Sequence, residues 1–319
     1  MKRLYRPLGF SAALIVTAFF VWYVLRSLRG HDLSAYATPR AALGIALAAV
    51  LWSCGAPLLA IAWHSLLEGF GVRRSRRELF GILGITQFAK YVPGNVAQYI
   101  GRVGMSLARG LPPRPLAVTL ILETLLVIAA AVVMGVGTGA LSDVGLRMVS
   151  HHGTQLALIS ILVVLAMAGL LMFRRVAPAL LRRLAPRYAP ALDGVFLPEQ
   201  ARLAGAFLLY CCMYLTMGIG LILLAHFLLP HESLDWWLLV SVFALAWVVG
   251  FVTPGAPGGL GVREGLMVLM LTPVFTAASS SVLVIALRIA TTLGDVLVLA
   301  AGLLIIPGGP RASRRPTSR

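Results

Sequence analysis

Acidic residues are scarce in this chain: 11 Asp and Glu stand against 27 Lys and Arg in 319 residues. Charged residues of both signs amount to only 12%, about half the share of an ordinary soluble domain. That is too little charge to coat a soluble protein of this length. Cysteine is also rare. Cys54, Cys211 and Cys212 all fall in apolar stretches without metal-ligand spacing, which excludes a disulfide framework and a zinc site and predicts small buried apolar side chains. There is no Asp-rich diphosphate motif, no nucleophile elbow and no nucleotide loop, because the glycines at 258–261 lack a following Gly-Lys-Ser/Thr. No enzymatic activity and no cofactor are therefore expected.

Apolar sequence is what the chain has in abundance: 59% hydrophobic residues and a mean hydropathy of +0.91. The expected fold is all-α, a polytopic integral membrane protein. Segments 8–28, 41–67, 116–140, 156–173, 203–228 and 281–306 each approach the roughly 20 residues needed to cross the hydrocarbon core. The first, basic at its start, has an apolar run longer than a signal-peptide core and is expected to be a retained span. Regions 79–109 and 236–275 differ, because Pro93-Gly94 and Pro254-Gly255 interrupt each of them. Proline removes a backbone donor and clashes with the preceding turn, so each region is expected to form two half-helices in a re-entrant hairpin.

The net charge of +16 comes from Arg clusters between these runs, which points to a membrane surface and not to nucleic acid. The clusters around Lys2, Arg73–Arg77, Arg109/Arg114, Arg174–Arg187 and Arg311–Arg319 all fall on one side if both broken regions are re-entrant. By the positive-inside rule that side is cytoplasmic, with both termini there. The Arg-over-Lys skew fits a GC-rich bacterial genome and hence a bacterial cytoplasmic membrane. The same assignment exposes a repeat: span, span, broken hairpin, span recurs in the opposite orientation. An Arg follows each break Pro by nine residues, at Arg102 and Arg263. The offset between the two breaks also carries 41–67 onto 202–228. The expected organisation is one transmembrane domain, 1–310, with inverted halves 1–145 and 150–310, and a short basic tail, 311–319.

Gly/Pro-interrupted segments at matching positions of an inverted repeat mark the binding site of a secondary transporter. A half-helix that begins in mid-membrane offers free N–H groups to an anion, and glycine lets a ligand approach its backbone. Asn95, Gly258, Gly259 and Gly261 sit at those starts. Arg102 and Arg263 could add charge to a bound phosphate, or pair with local acids. Ionised groups inside spans are costly and should have partners. These are Glu123 in 116–140, Arg288 and Asp295 in the last span, and Arg263 and Glu264 at the second break. A cluster of Glu123, Arg263, Glu264 and Arg288 at the hairpin tips is expected. Arg288 and Asp295 should reach other helices and not each other. Lys90 serves the same site or snorkels to the interface. His231 to Asp235 has the His-x-x-x-Asp form of some acyl-transfer sites, and His151-His152 is a pair of possible metal ligands. Each lies in a loop without a further catalytic or ligating element and is read as solvated linker.

The stretches "FAKYVPGNVAQYIGRVG", "LILET" at 120–124 and "PGGLGVREG" at 257–265 resemble the transmembrane region of lysylphosphatidylglycerol synthases and the flippase-like bacterial membrane proteins related to it. The resemblance spans nearly the whole chain, and Glu123 stands where that family often places an intramembrane acid. It implies translocation of a lipid between leaflets. Two departures matter. Only "PGGPRASRRPTSR" follows the last span, so no synthase activity is expected of this chain, and Asn95 stands where relatives often have Arg. The expected cargo is an anionic or aminoacylated phospholipid or a polyprenyl-phosphate-linked lipid. The alternative is a non-transporting membrane partner of a separate glycosyltransferase or lipid synthetase.

Overall fold

The computed structural model describes residues 38–91, 97–144, 147, 198–253, 259 and 261–306. Candidate spans 8–28 and 156–173, both Pro-Gly pairs, His151-His152 and the tail 311–319 lie outside the described residues. Every regular element among the described residues is a helix. Helix α1, Pro39–Ser53, starts at Thr38, whose hydroxyl accepts the Ala41 N–H at 3.1 Å. Helix α2, Gly55–Gly69, continues it after a one-residue interruption at Cys54. Pro57 accounts for the interruption, because its ring nitrogen cannot bond the carbonyl of Ser53 four residues back. Segments α1 and α2 together make one apolar stretch of 31 residues, long enough to span a bilayer.

The first broken region forms α3, Arg76–Gln87, a 3-10 turn at Phe88–Tyr91, and α4, Ala97–Ala108. Ser75 caps α3 by accepting the Glu78 N–H at 3.2 Å. Each of these two helices has 12 residues, about 18 Å of rise, against a hydrocarbon core of roughly 30 Å. Neither can cross alone. They return alongside each other: a Cβ on Gly101 would lie 3.4 Å from Thr86 Cγ2. At their open end, Arg74 Nη2 donates to the Gly110 carbonyl at 2.9 Å. Entry and exit of this pair are thus at one end of the molecule.

Helix α5, Pro113–Gly139, and helix α6, Gln200–Leu228, are full-length apolar helices. The second broken region forms α7, Trp236–Val252, and α8, Val262–Leu271. The last span is α9, Ala277–Ile305, capped by the Thr276 hydroxyl on the Ser279 N–H. Among the described residues, four helices are long and apolar enough to cross a membrane: Pro39–Gly69, Pro113–Gly139, Gln200–Leu228 and Ala277–Ile305. The protein is a multi-pass membrane protein. Large apolar side chains such as Leu43, Val50, Leu208, Leu293 and Leu304 are exposed on these helices, as lipid-facing positions require.

Glycines set the register of the long helices. A Cβ on Gly44 would fall 2.6 Å from Phe227, one on Gly55 2.7 Å from Met217, and one on Gly69 2.7 Å from Pro198. As the numbers rise along α1 and α2 they fall along α6, so these spans pack antiparallel. Helix α9 packs on α1 and α3, while α5 packs on α6 and α7. Each half's last span therefore lies against the other half's first half-helix. Between them, Trp63, Tyr210, Tyr214 and Phe243 are fully buried.

Candidate functional site

Three carboxylates inside the helical core organise the ionised residues. The first is Glu123 on α5. Its two oxygens each accept a bond from the Arg102 guanidinium of α4 at 2.5 Å. Both side chains are buried, and Arg102 lies over the Trp63 ring with 3.7 Å to the centroid. A bidentate fork with an aromatic face beneath it is the geometry that a guanidinium satisfies and an ammonium does not.

The second is Asp295 on α9. Its Oδ1 accepts the Trp52 indole N–H of α1 at 2.9 Å and the Lys90 ammonium at 2.8 Å, and its Oδ2 accepts the Tyr91 hydroxyl at 2.5 Å. One carboxylate thus ties the last span both to α1 and to the turn before the first break. The third is Glu264 on α8. Its Oε2 accepts the Gly261 N–H at 2.8 Å, while Oε1 accepts from Arg263 at 3.1 Å and from Arg288 of α9 at 3.2 Å. Tyr91 links the second and third centres, because the Arg288 guanidinium sits 5.3 Å from its ring centroid.

Two of the cavities that adjoin these centres have both partners of an ion pair in their walls. One, of about 90 Å³, is lined by Lys90, Tyr91, Gly259, Arg263, Arg288 and Asp295. The other, of about 70 Å³, lies against Tyr99, Arg102, Glu123 and Thr124. Gln87, Gln98, Trp247 and Phe251 line both, and Trp247 and Phe251 stack with centroids 4.9 Å apart. The wall between the cavities is therefore an aromatic pair with two amides, and each space is large enough for several water-sized groups.

The expected cluster of Glu123, Arg263, Glu264 and Arg288 is divided. Arg263, Glu264 and Arg288 meet as expected, but Glu123 belongs to Arg102, which lies closer along the chain and saturates both of its oxygens. Arg288 and Asp295 do reach other elements and not each other. Lys90 points inward to Asp295 and does not snorkel. At the start of α8 the Gly261 N–H is already taken by the Glu264 carboxylate. Gly259, with φ +73°, is explained by packing: a Cβ there would lie 3.2 Å from the Gly250 backbone. Gly261 has φ +79°, a conformation that favours glycine. Asn95 and Gly258 lie outside the described residues.

Three smaller expectations also resolve. Cys54 and Cys212 are exposed on the helical surface and Cys211 is half-buried, so the buried-core reading fails for the first two; a thiol is apolar enough to face lipid. Asp235 caps α7 through the Leu238 N–H at 3.0 Å and accepts the Ser142 hydroxyl at 2.8 Å, which explains its place in the His231 motif without catalysis. Trp52, Trp63 and Tyr91 escaped the sequence reading, because aromatics in apolar runs look like ordinary core. A signal did exist for Trp52 and Tyr91, since a Trp N–H or Tyr O–H buried in a span needs a partner; Trp63 instead offers its ring face to Arg102.

A family model described as lysylphosphatidylglycerol synthase TM region matches residues 10–302. No curated protein matches the chain.

Proposed function

The chain belongs to the lysylphosphatidylglycerol synthase TM-region family, and on that premise we propose that it is a translocase that moves a phosphate-headed lipid between leaflets without covalent chemistry on it. The observation that carries this reading is the set of three buried carboxylate centres joining both broken helix pairs to the spans around them. Charge buried among apolar helices is expensive and marks a pathway or a switch more often than ornament. Here the charges line internal cavities beside the interrupted helix pairs, and in transporters the site sits between interrupted helices.

In this reading the two halves are inverted repeats about the cavities. Antiparallel packing of α1 and α2 on α6, and the exchange of last spans between halves, support it. The headgroup enters the cavities while acyl chains stay in the bilayer, and rearrangement of the ion pairs gates the passage. The membrane is the bacterial cytoplasmic membrane, with the Arg-rich loops on the cytoplasmic side. Fluorescent-lipid scrambling in proteoliposomes tests the proposal. Arg263→Ala and Glu123→Gln are expected to abolish movement of the transported lipid while the protein stays folded. Unchanged rates in both variants would refute the gating role.

A further inference from the structure

The charge balance at the second break, taken with the translocase reading on which this inference rests, narrows the cargo. We propose that the site selects a headgroup whose phosphate charge is uncompensated, as in phosphatidylglycerol, and rejects aminoacylated headgroups, whose ammonium groups cancel or reverse that charge.

Two of the buried ion pairs are already matched in charge. Arg102 and Glu123 neutralise each other in a bidentate pair. Lys90 and Asp295 form a second matched pair, and Asp295 has no capacity left, since Trp52 and Tyr91 also donate to it. Among the described residues Glu264 alone remains to balance both Arg263 and Arg288, and both use the same oxygen, Oε1, because Oε2 is held by the Gly261 N–H. One guanidinium charge is left over.

No other acid on the described helices beside this site supplies the missing anion. Helix α7, Trp236–Val252, contains no charged residue, and α6, Gln200–Leu228, contains no acid. By sequence, the break residues 92–96 and 254–258, which adjoin described site residues along the chain, contain no Asp or Glu. Arg263 is 5% exposed, and its Nε–H is buried without a partner among the described residues. A buried positive charge with an unused donor calls for a counter-ion. The 90 Å³ cavity beside Arg263 and Arg288 is where one fits.

The shape of the donors selects the anion's chemistry. Two guanidinium groups present planar forks that suit the oxygens of a phosphodiester. Gln87 and Gln98, which line the same cavity, carry both a donor and an acceptor for glycerol hydroxyls. An aminoacyl ester would replace a hydroxyl with an ammonium group in a space that already holds Lys90, Arg263 and Arg288. Like charges brought together suppress the wrong partner.

Binding in neutral detergent tests selection separately from transport. Thermal unfolding of the full chain is followed by tryptophan fluorescence with phosphatidylglycerol, lysyl-phosphatidylglycerol or inorganic phosphate added. Phosphatidylglycerol is expected to raise the midpoint and to bind at least about tenfold more tightly than the lysyl lipid. Arg288→Gln, which removes the surplus charge, should bring that ratio close to one, and Arg288→Lys should keep it. Equal or tighter binding of the lysyl lipid overturns the proposal, as does absence of binding by either lipid. Stabilisation by inorganic phosphate equal to that by phosphatidylglycerol also overturns it, because the site would then serve a free anion. Selective binding without scrambling would sink the translocase reading alone. Scrambling of both lipids at equal rates would sink selection alone.

Discussion

At the scale of single residues, Asp295 is the junction whose loss should be felt most. It receives Lys90, Trp52 and Tyr91 from two other elements, and its side chain is 3% exposed. Asp295→Ala leaves Lys90 as a buried charge without its carboxylate, a change that costs about 3–5 kcal/mol. A marked fall in Tm in detergent is expected. Replacing both partners, Lys90→Met with Asp295→Leu, should recover much of that stability, because two charges no longer need desolvation. The same double variant should not recover lipid scrambling, which needs the charges themselves. If scrambling returned with stability, the pair would be purely architectural. Arg102 is the second case. Arg102→Lys keeps the charge but loses one of two bonds to Glu123 and the stack on Trp63, so its Tm should fall despite conservation of charge.

At the scale of elements, α3 is held by buried Leu79, Ile82 and Leu83 and by close backbone contact with the last span. A Cβ on Gly84 of α3 would lie 2.7 Å from the Val298 carbonyl oxygen of α9, and one on Gly302 of α9 would lie 3.0 Å from the Ile85 nitrogen. Gly84→Ala must therefore push α3 off the last span, and overpacking of this kind costs about 1–3 kcal/mol. Gly104 on α4 is the matched control, because a Cβ there meets nothing within 4 Å. Gly104→Ala should be neutral or stabilising by up to about 1 kcal/mol, since alanine is the better helix former. Thermal midpoints of the two variants check the pair; equal effects would mean that the α3–α9 contact is looser than described.

At the scale of the whole molecule, the antiparallel register of α1 and α6 can be locked. A Cβ on Gly220 would sit 3.7 Å from Leu51 Cβ, close to the roughly 3.8 Å typical of a disulfide. In a background of Cys54→Ser, Cys211→Ser and Cys212→Ser, Leu51→Cys with Gly220→Cys is expected to oxidise readily. Retarded or accelerated mobility of the oxidised form on gels, reversed by reductant, would report the bond. If the halves rock against each other during transport, the crosslink should stop scrambling and reductant should restore it. Undiminished scrambling in the crosslinked protein would place the motion elsewhere.

How much of this was legible in the chain follows from how far each signal reaches. Hydropathy acts over about 20 residues, so 41–67, 116–140, 203–228 and 281–306 appeared in sequence within a few residues of the helices Pro39–Gly69, Pro113–Gly139, Gln200–Leu228 and Ala277–Ile305. Ionisable residues in those runs announced themselves by their rarity, and Lys90, Arg102, Glu123, Arg263, Glu264, Arg288 and Asp295 all prove to be buried or partly buried partners. Partner choice was not legible, because Glu123 selects Arg102, and Asp295 selects Lys90, Tyr91 and Trp52, through helix crossings between residues up to 243 positions apart. The sequence by itself determined a helical membrane protein with two interrupted segments and a surplus of positive charge. Only the tertiary structure decided which charges cancel and where the surplus lies, because burial raises the penalty for an unpaired charge and packing alone sets which groups come within bonding distance.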